Sequence, residues 1–201
     1  MTKPSCVLTP NADEGPYFVD ERLLRSDIRG DASGGQPEEG VDLKLALRAV
    51  DAEGDCPPVE GAHVDIWHCN AHGIYSDEPA EDTVGRTFLR GCQLSDAEGS
   101  VAFTTIFPGW YAGRAVHIHL KVRLLRDERM TYEFTTQLFF EEGLIGEIYT
   151  RSPYVTRGTP QVANAEDYIY RVSGPELTVP VSGEPGGSCR GTMVIGLAGL
   201  S

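Results

Sequence analysis

At 201 residues the chain is long enough for one domain with a substantial core, and a net charge of -13 with a pI near 4.7 gives a surface that repels phosphate backbones and anionic lipid. Neither nucleic acid nor a membrane is therefore an expected partner. No apolar run approaches the roughly 20 residues that a membrane-spanning helix needs.

The first strand is expected over 41–50, where Val41, Leu43, Leu45, Leu47 and Ala49 alternate with Asp42, Lys44 and Arg48 in "VDLKLALRAV". "DAEGD" marks a turn, "GAHVDIWH" a second strand, "SDAEGS" another turn, and "VAFTTIF" a third strand. "AVHIHLKVRLL" and "TYEFTTQLFF" follow as strands on either side of a polar "RDERM" break, and "GTMVIGL" closes the series. Between them, Glu141 to about Gly174 reads as one long connection in which "EEGLIGEIYT" forms a short helix. Short strands set between Gly, Asp and Pro turns predict an all-β chain, a β-sandwich core with long loops and little helix, with residues 1–201 as a single domain.

Five cysteines, Cys6, Cys56, Cys69, Cys92 and Cys189, contain no C-x-x-C pair, which argues against a zinc knuckle or a thioredoxin-type motif. Cys56 before Pro57-Pro58 and Cys189 after "EPGGS" stand in turn-like contexts that suit disulfides of an exported protein, and an odd number permits at most two internal bridges. The opening "MTKPSCVLTP" has no apolar signal-peptide core. The expectation is a secreted protein with its leader outside these residues; the alternative is a cytoplasmic one with free thiols.

The chemistry concentrates in "FPGWYAGRAVHIHLKV". On a strand, His117 and His119 share one face while Val116, Ile118, Leu120 and Val122 take the other. A lone His-x-His pair is as often a hydrogen-bonded core pair as a metal site, and copper or zinc sites of this spacing need further ligands. His68, Cys69 and His72 in "WHCNAHG" lack a zinc spacing, so surface or hydrogen-bonding roles are expected there. Tyr111 and Tyr75 add a different possibility, because only a strongly Lewis-acidic ion holds a phenol of pKa near 10 as phenolate at neutral pH. Either tyrosine alone would more often be a packing residue.

Four segments, in this order, resemble the intradiol ring-cleavage dioxygenases, the family of catechol and protocatechuate dioxygenases. They are "TPNADEGPYF", "GAHVDIWHCNAHGIYSD", "FLRGCQLSDAEGSVAFTTIFPGWYAGRAVHIHLKV" and "TTQLFFEE". The resemblance implies one non-haem Fe(III) held by Tyr75, Tyr111, His117 and His119, with a catecholic substrate and O2 as partners and a cis,cis-muconate-type product. It implies Tyr111 as base as well as ligand, Arg114 as a cation over the substrate ring, and Gln137 beside Arg114. Trp67 is implied as a pocket wall, with Tyr17, Pro16 and Ile74 as further pocket candidates. Arg114 has the wrong strand parity to join the histidines, so the chain must still be turning at Gly113 for it to point inward. The short interval from Tyr111 to His117 and the scattered cysteines look most like the extracellular microbial members that attack plant-derived aromatics; self-association is left open. The rival readings are a non-catalytic, transthyretin-like binding module and a copper or zinc redox protein. Both leave the Tyr-Arg-His-His-Gln order without a purpose.

Overall fold

The computed structural model describes residues 6–53, 55–184 and 186–200. Among them, eight strands form two sheets. β1 (Asp42–Asp51), β4 (Ser100–Ile106), β7 (Val181–Gly183) and β8 (Ser188–Leu197) make one sheet in the order β4-β1-β8-β7. β2 (His63–Trp67), β3 (Arg90–Leu94), β5 (His117–Arg126) and β6 (Arg129–Phe139) make the other, in the order β3-β2-β5-β6. All neighbours are antiparallel except β1 and β8, which run parallel. Two short helices, α1 (Glu142–Ile148) and α2 (Tyr170–Ser173), lie in the long connection. The fold is the all-β sandwich that the sequence predicts.

The alternation in β1 is realised as written, with Leu43, Leu45, Leu47 and Ala49 buried and Lys44, Ala46 and Arg48 exposed. Facing them across the sandwich are Val64 and Ile66 of β2, Ile118, Leu120 and Val122 of β5, and Phe134 and Leu138 of β6, in one continuous core with Phe103. Burial of such side chains contributes about 1.5–3 kcal/mol each before entropy is counted. The "RDERM" break is tighter than expected: Asp127 and Glu128 both take positive φ (49 and 63) in a two-residue hairpin turn, so β5 and β6 run on to pair Arg126 with Arg129. Two strands escape the sequence reading. β3, "RGCQL", interrupts its apolar residues with a glycine and a glutamine, and β7 is only three residues long.

β5 is buried on both faces. His117, His119, Lys121 and Arg123 point away from the sandwich core, yet they are only 2, 0, 3 and 6 % exposed. The N-terminal segment covers them. Ala12 N–H donates to Thr135 O (2.9 Å), Thr136 Oγ1 to Pro10 O (2.8 Å), and Arg90 Nη1 to Tyr17 O (2.6 Å). Beneath this strap Lys121 pairs with Glu14 and Glu133, Arg123 pairs with Asp20 and Asp65, and the Phe18 ring lies 4.1 Å from Lys121 Nζ. Each buried cation thereby has a counter-charge, without which its burial would cost several kcal/mol.

The cysteines depart from expectation. Cys6 and Cys56 are bridged, but Cys189 is a free, buried thiol, as are Cys69 and Cys92. Cys189 fails as a loop cysteine because β8 already begins at Ser188, and its pairing opposite Leu43 turns the side chain into the core. The single bridge spans 50 residues of sequence, so loop-closure entropy predicts about 3–4 kcal/mol of stabilisation. Cys6→Ser is expected to lower Tm accordingly in a thermal melt under non-reducing conditions.

Candidate active site

The strap, the ends of β2 and β5, and the loops carrying Tyr75 and Tyr111 meet on the outer face of the second sheet. Trp67, the last residue of β2, pairs in register with His119 and stacks on its imidazole (centroids 4.8 Å apart, planes at 8°). Tyr75 is 2 % exposed and packs with Trp67, Cys69, Tyr17 and Tyr111. Tyr17, brought in by the strap, stacks on Tyr75 at 4.2 Å. Gly15, at φ +71, lets the strap pass close to His119, since a side chain there would meet Cε1 at 3.3 Å.

The polar atoms converge. Tyr111 Oη lies 3.2 Å from His117 Nε2, which lies 3.1 Å from His119 Nε2. His117 Nδ1 is 2.7 Å from Ala115 O, and a carbonyl only accepts, so Nδ1 carries the proton and Nε2 presents a bare lone pair. Burial, with the Arg114 charge second, holds the His117 imidazolium down at a pKa of about 3. Burial, then His117, holds His119 well below its ordinary value. Two neutral imidazoles thus crowd one point, and one lone pair of His117 faces two neighbours.

One phenol is left short as well. Tyr75 Oη is buried with no hydrogen-bond partner, as is His119 Nδ1. Tyr75 and Tyr111 are close enough to influence each other's ionisation without reaching hydrogen-bond geometry, and burial is the first cause that pushes both phenols upward. Without an added cation neither ionises at neutral pH. Two phenol oxygens and two imidazole nitrogens, with Tyr75 Oη unpartnered and the other three sharing contacts only with one another, make a donor set that can hold a Lewis-acidic metal ion. Among the described residues no group of three His, Cys, Asp or Glu side chains competes for that part.

Arg114 reaches this point because the chain is still turning. Gly113 has φ +86, Arg114 N–H donates back to Tyr111 O (3.4 Å), and β5 begins only at His117. Its Nη2 donates to Gln137 Oε1 (2.5 Å), and Gln137 Nε2 donates to Asp13 O (2.7 Å), tying the pair to the strap. Gln137 faces His119 in the β5–β6 register.

The remaining predicted residues are more peripheral. Ile74 packs with Phe88, Leu89 and Ile106 in a neighbouring cluster, and Pro16 is exposed in the turn before Tyr17. His68 bonds Cys69 O (2.8 Å) through Nδ1 and Thr105 Oγ1 (2.7 Å) through Nε2, while His72 is exposed, so the hydrogen-bonding reading of that cluster holds.

Sequence reasoning missed Asp167. It accepts from Arg114 Nε (2.7 Å) and Ala115 N–H (2.9 Å), and an aspartate in "NAEDYIY" gave no signal of that. Burial raises its carboxyl pKa, but the Arg114 and Ala115 hydrogen bonds outweigh that and leave it below the usual value. A depressed folded-state pKa contributes stability that is present above the unfolded carboxyl value, near 4, and is lost as pH falls through the folded one. Thermal melts are therefore expected to weaken below about pH 4, and Asp167→Asn should flatten that acid limb.

A family model described as Dioxygenase matches residues 13–164, more than half of the chain. The chain belongs to the intradiol ring-cleavage dioxygenases. An intradiol ring-cleavage dioxygenase of Tetranychus urticae superposes with a TM-score of 0.84 at 31 % identity, over 98 % of this chain and 97 % of that one. The dioxygenase domain of a carbohydrate-binding fusion protein from the cellulolytic bacterium Streptomyces sp. SirexAA-E superposes with a TM-score of 0.67 at 29 % identity, over 96 % and 99 % of the two chains. Catechol 1,2-dioxygenase 1 of Acinetobacter lwoffii is 24 % identical over 206 residues, covering 91 % of this chain and 56 % of that protein. This intradiol dioxygenase thus spans about half the length of that relative. Among the described residues no helix is long and apolar enough to cross a membrane.

Proposed function

We propose that residues 1–201 act as a single catalytic domain, a non-haem Fe(III) dioxygenase that opens catecholic rings with O2 to cis,cis-muconate-type diacids. The observation that carries this reading is the convergence of Tyr111 Oη, His117 Nε2 and His119 Nε2 within 3.2 Å steps, beside the unpartnered Tyr75 Oη. These four side chains would hold the metal. A ferric ion held there would supply Lewis acidity, favouring ionised phenols and an ionised catechol, so that the organic substrate, rather than oxygen alone, would be the activated partner.

The chain's own residues do the rest. Tyr111 is the less buried of the two tyrosines and is linked to His117, so its oxygen takes a proton from the incoming catechol. Tyr75, His117 and His119 stay fixed, clamped by Tyr17, by Ala115 O and by Trp67 respectively. Arg114 stabilises negative charge developing on the ring, and Gln137 holds its Nη2. Trp67 and Tyr17 wall the pocket against water. Both atoms of O2 enter the product as the bond between the two hydroxyl-bearing carbons breaks.

The Cys6–Cys56 bridge supports an extracellular setting. A likeness to the dioxygenase domain of a cellulolytic bacterium's fusion protein supports plant-derived aromatics as the substrates. Incubation of the iron-loaded protein with catechol, protocatechuate, hydroxyquinol and larger lignin-derived catechols under 18O2 tests the proposal. A muconate-type product carrying two labelled oxygens is expected; the return of every diol unlabelled would refute it.

A further inference from the structure

We infer that Asp167 is a positioning residue, which grips one edge of the Arg114 guanidinium so that Nη1 is left to meet the charge developing on the substrate. The inference rests on the role proposed for Arg114 and extends beyond the family match, which ends at residue 164. Arg114 has three nitrogens to place. Nε donates to Asp167 Oδ2 (2.7 Å), Nη2 donates to Gln137 Oε1 (2.5 Å) and more weakly to Asp167 Oδ1 (3.3 Å), and Nη1 has no protein partner among the described residues. A guanidinium held on two sides by a fully buried carboxylate and a buried amide cannot swing, and its free nitrogen is fixed in direction. The Tyr168 ring, 5.1 Å from the guanidinium carbon, covers one face.

Asp167 is itself held. Its Oδ1 accepts from the N–H groups of Ile169 (2.9 Å) and Tyr170 (3.1 Å), and its Oδ2 takes the Ala115 N–H (2.9 Å). The loop that carries it is pinned to the start of α1 by Asn164, whose Nδ2 donates to Phe140 O (2.7 Å) and whose N–H donates to Glu142 Oε1 (2.5 Å). The same carboxylate thus joins Arg114 to Ala115, the residue whose carbonyl orients His117. The long connection therefore supplies a charge to the site and does more than close the chain.

Asp167→Asn separates this role from a structural one. Asparagine keeps Oδ1 for the Ile169 and Tyr170 N–H groups but turns a donor toward both Arg114 Nε and the Ala115 N–H. In the iron-loaded enzyme kcat per bound iron is expected to fall about 10- to 100-fold with KM unchanged. In an Arg114→Ala background the same change should produce little further loss of kcat per bound iron, because Asp167 acts on the developing charge through Arg114, while its hold on Ala115 would show in iron content. A second readout is independent of turnover: in 15N-labelled full-length chain without added metal, the Arg114 Nε–H should exchange slowly with water, and Asp167→Asn should make it fast. Equal losses of kcat with and without Arg114, or an Nε–H unaffected by the substitution, would overturn the inference. A wild-type enzyme inactive on every catechol would instead refute the proposed function, and the Nε–H exchange would still decide the part played by Asp167.

Discussion

Tyr75→Phe is expected to abolish retention of iron and to lower turnover by at least about a thousandfold, while leaving the metal-free protein as stable as wild type or more so. The hydroxyl of Tyr75 is buried without a hydrogen-bond partner, and leaving such a group unpaired costs about 1–3 kcal/mol. Phenylalanine removes that cost and keeps the stacking with Tyr17 and the packing against Trp67. Opposite signs for the two effects distinguish a ligand from a packing residue: a packing tyrosine would lose stability on substitution and leave bound iron unchanged. Iron analysis of the purified variant, with chemical unfolding of the metal-free forms side by side, reads both. His119→Ala is expected to empty the site as well, but it also removes the stacking partner of Trp67 and costs the fold.

Arg114→Ala is expected to retain one iron per chain and to lose about 10²–10³ in kcat, the loss that follows removal of one fixed donor aimed at developing charge. Part of its effect falls on stability, because Asp167, with a side chain 0 % exposed, would lose its cation. Arg114→Lys is the companion variant. It returns the charge to Asp167 without the planar fork that serves Asp167, Gln137 and the substrate together, so stability should recover while kcat stays low. Turnover per bound iron at saturating catechol measures this. An Arg114→Ala enzyme with the wild-type rate would remove the arginine from the chemistry.

The parts of this molecule that obey a simple period were open to reading from the sequence, and the parts set by distant packing were not. β1 alternates apolar and polar residues because one of its faces meets water, and it lies within a residue of where its pattern puts it. β3 carries a glycine where Ile28 and Arg25 press against the strand, a contact invisible from "RGCQL". The polar face of β5 reads as solvent-facing by the same rule that succeeds for β1. It is buried because a strap about a hundred residues earlier lies over it and supplies Glu14 to Lys121 and Asp20 to Arg123, while the two histidines meet each other, Tyr111 and Trp67.

The site was legible to the extent that its residues lie close in sequence or match the family's order. The turn at Gly113 was foreseeable from the parity of Arg114 against His117, and the structure puts it there. Cys189 misled because its glycine-rich approach resembles a loop, whereas the parallel pairing with β1 had already begun. Asp167 stands 53 residues from the arginine it holds, in a connection with no repeating pattern, and only the closed fold brings them together.

The central claim, that two phenol oxygens and two imidazole nitrogens hold one ferric ion, is tested most directly by visible absorption of the purified protein set beside its iron content. At one iron per chain the account predicts a burgundy solution with a broad tyrosinate-to-iron charge-transfer band, lost on removal of the metal and shifted by catechol in the absence of oxygen. A colourless protein carrying its full complement of iron would contradict it.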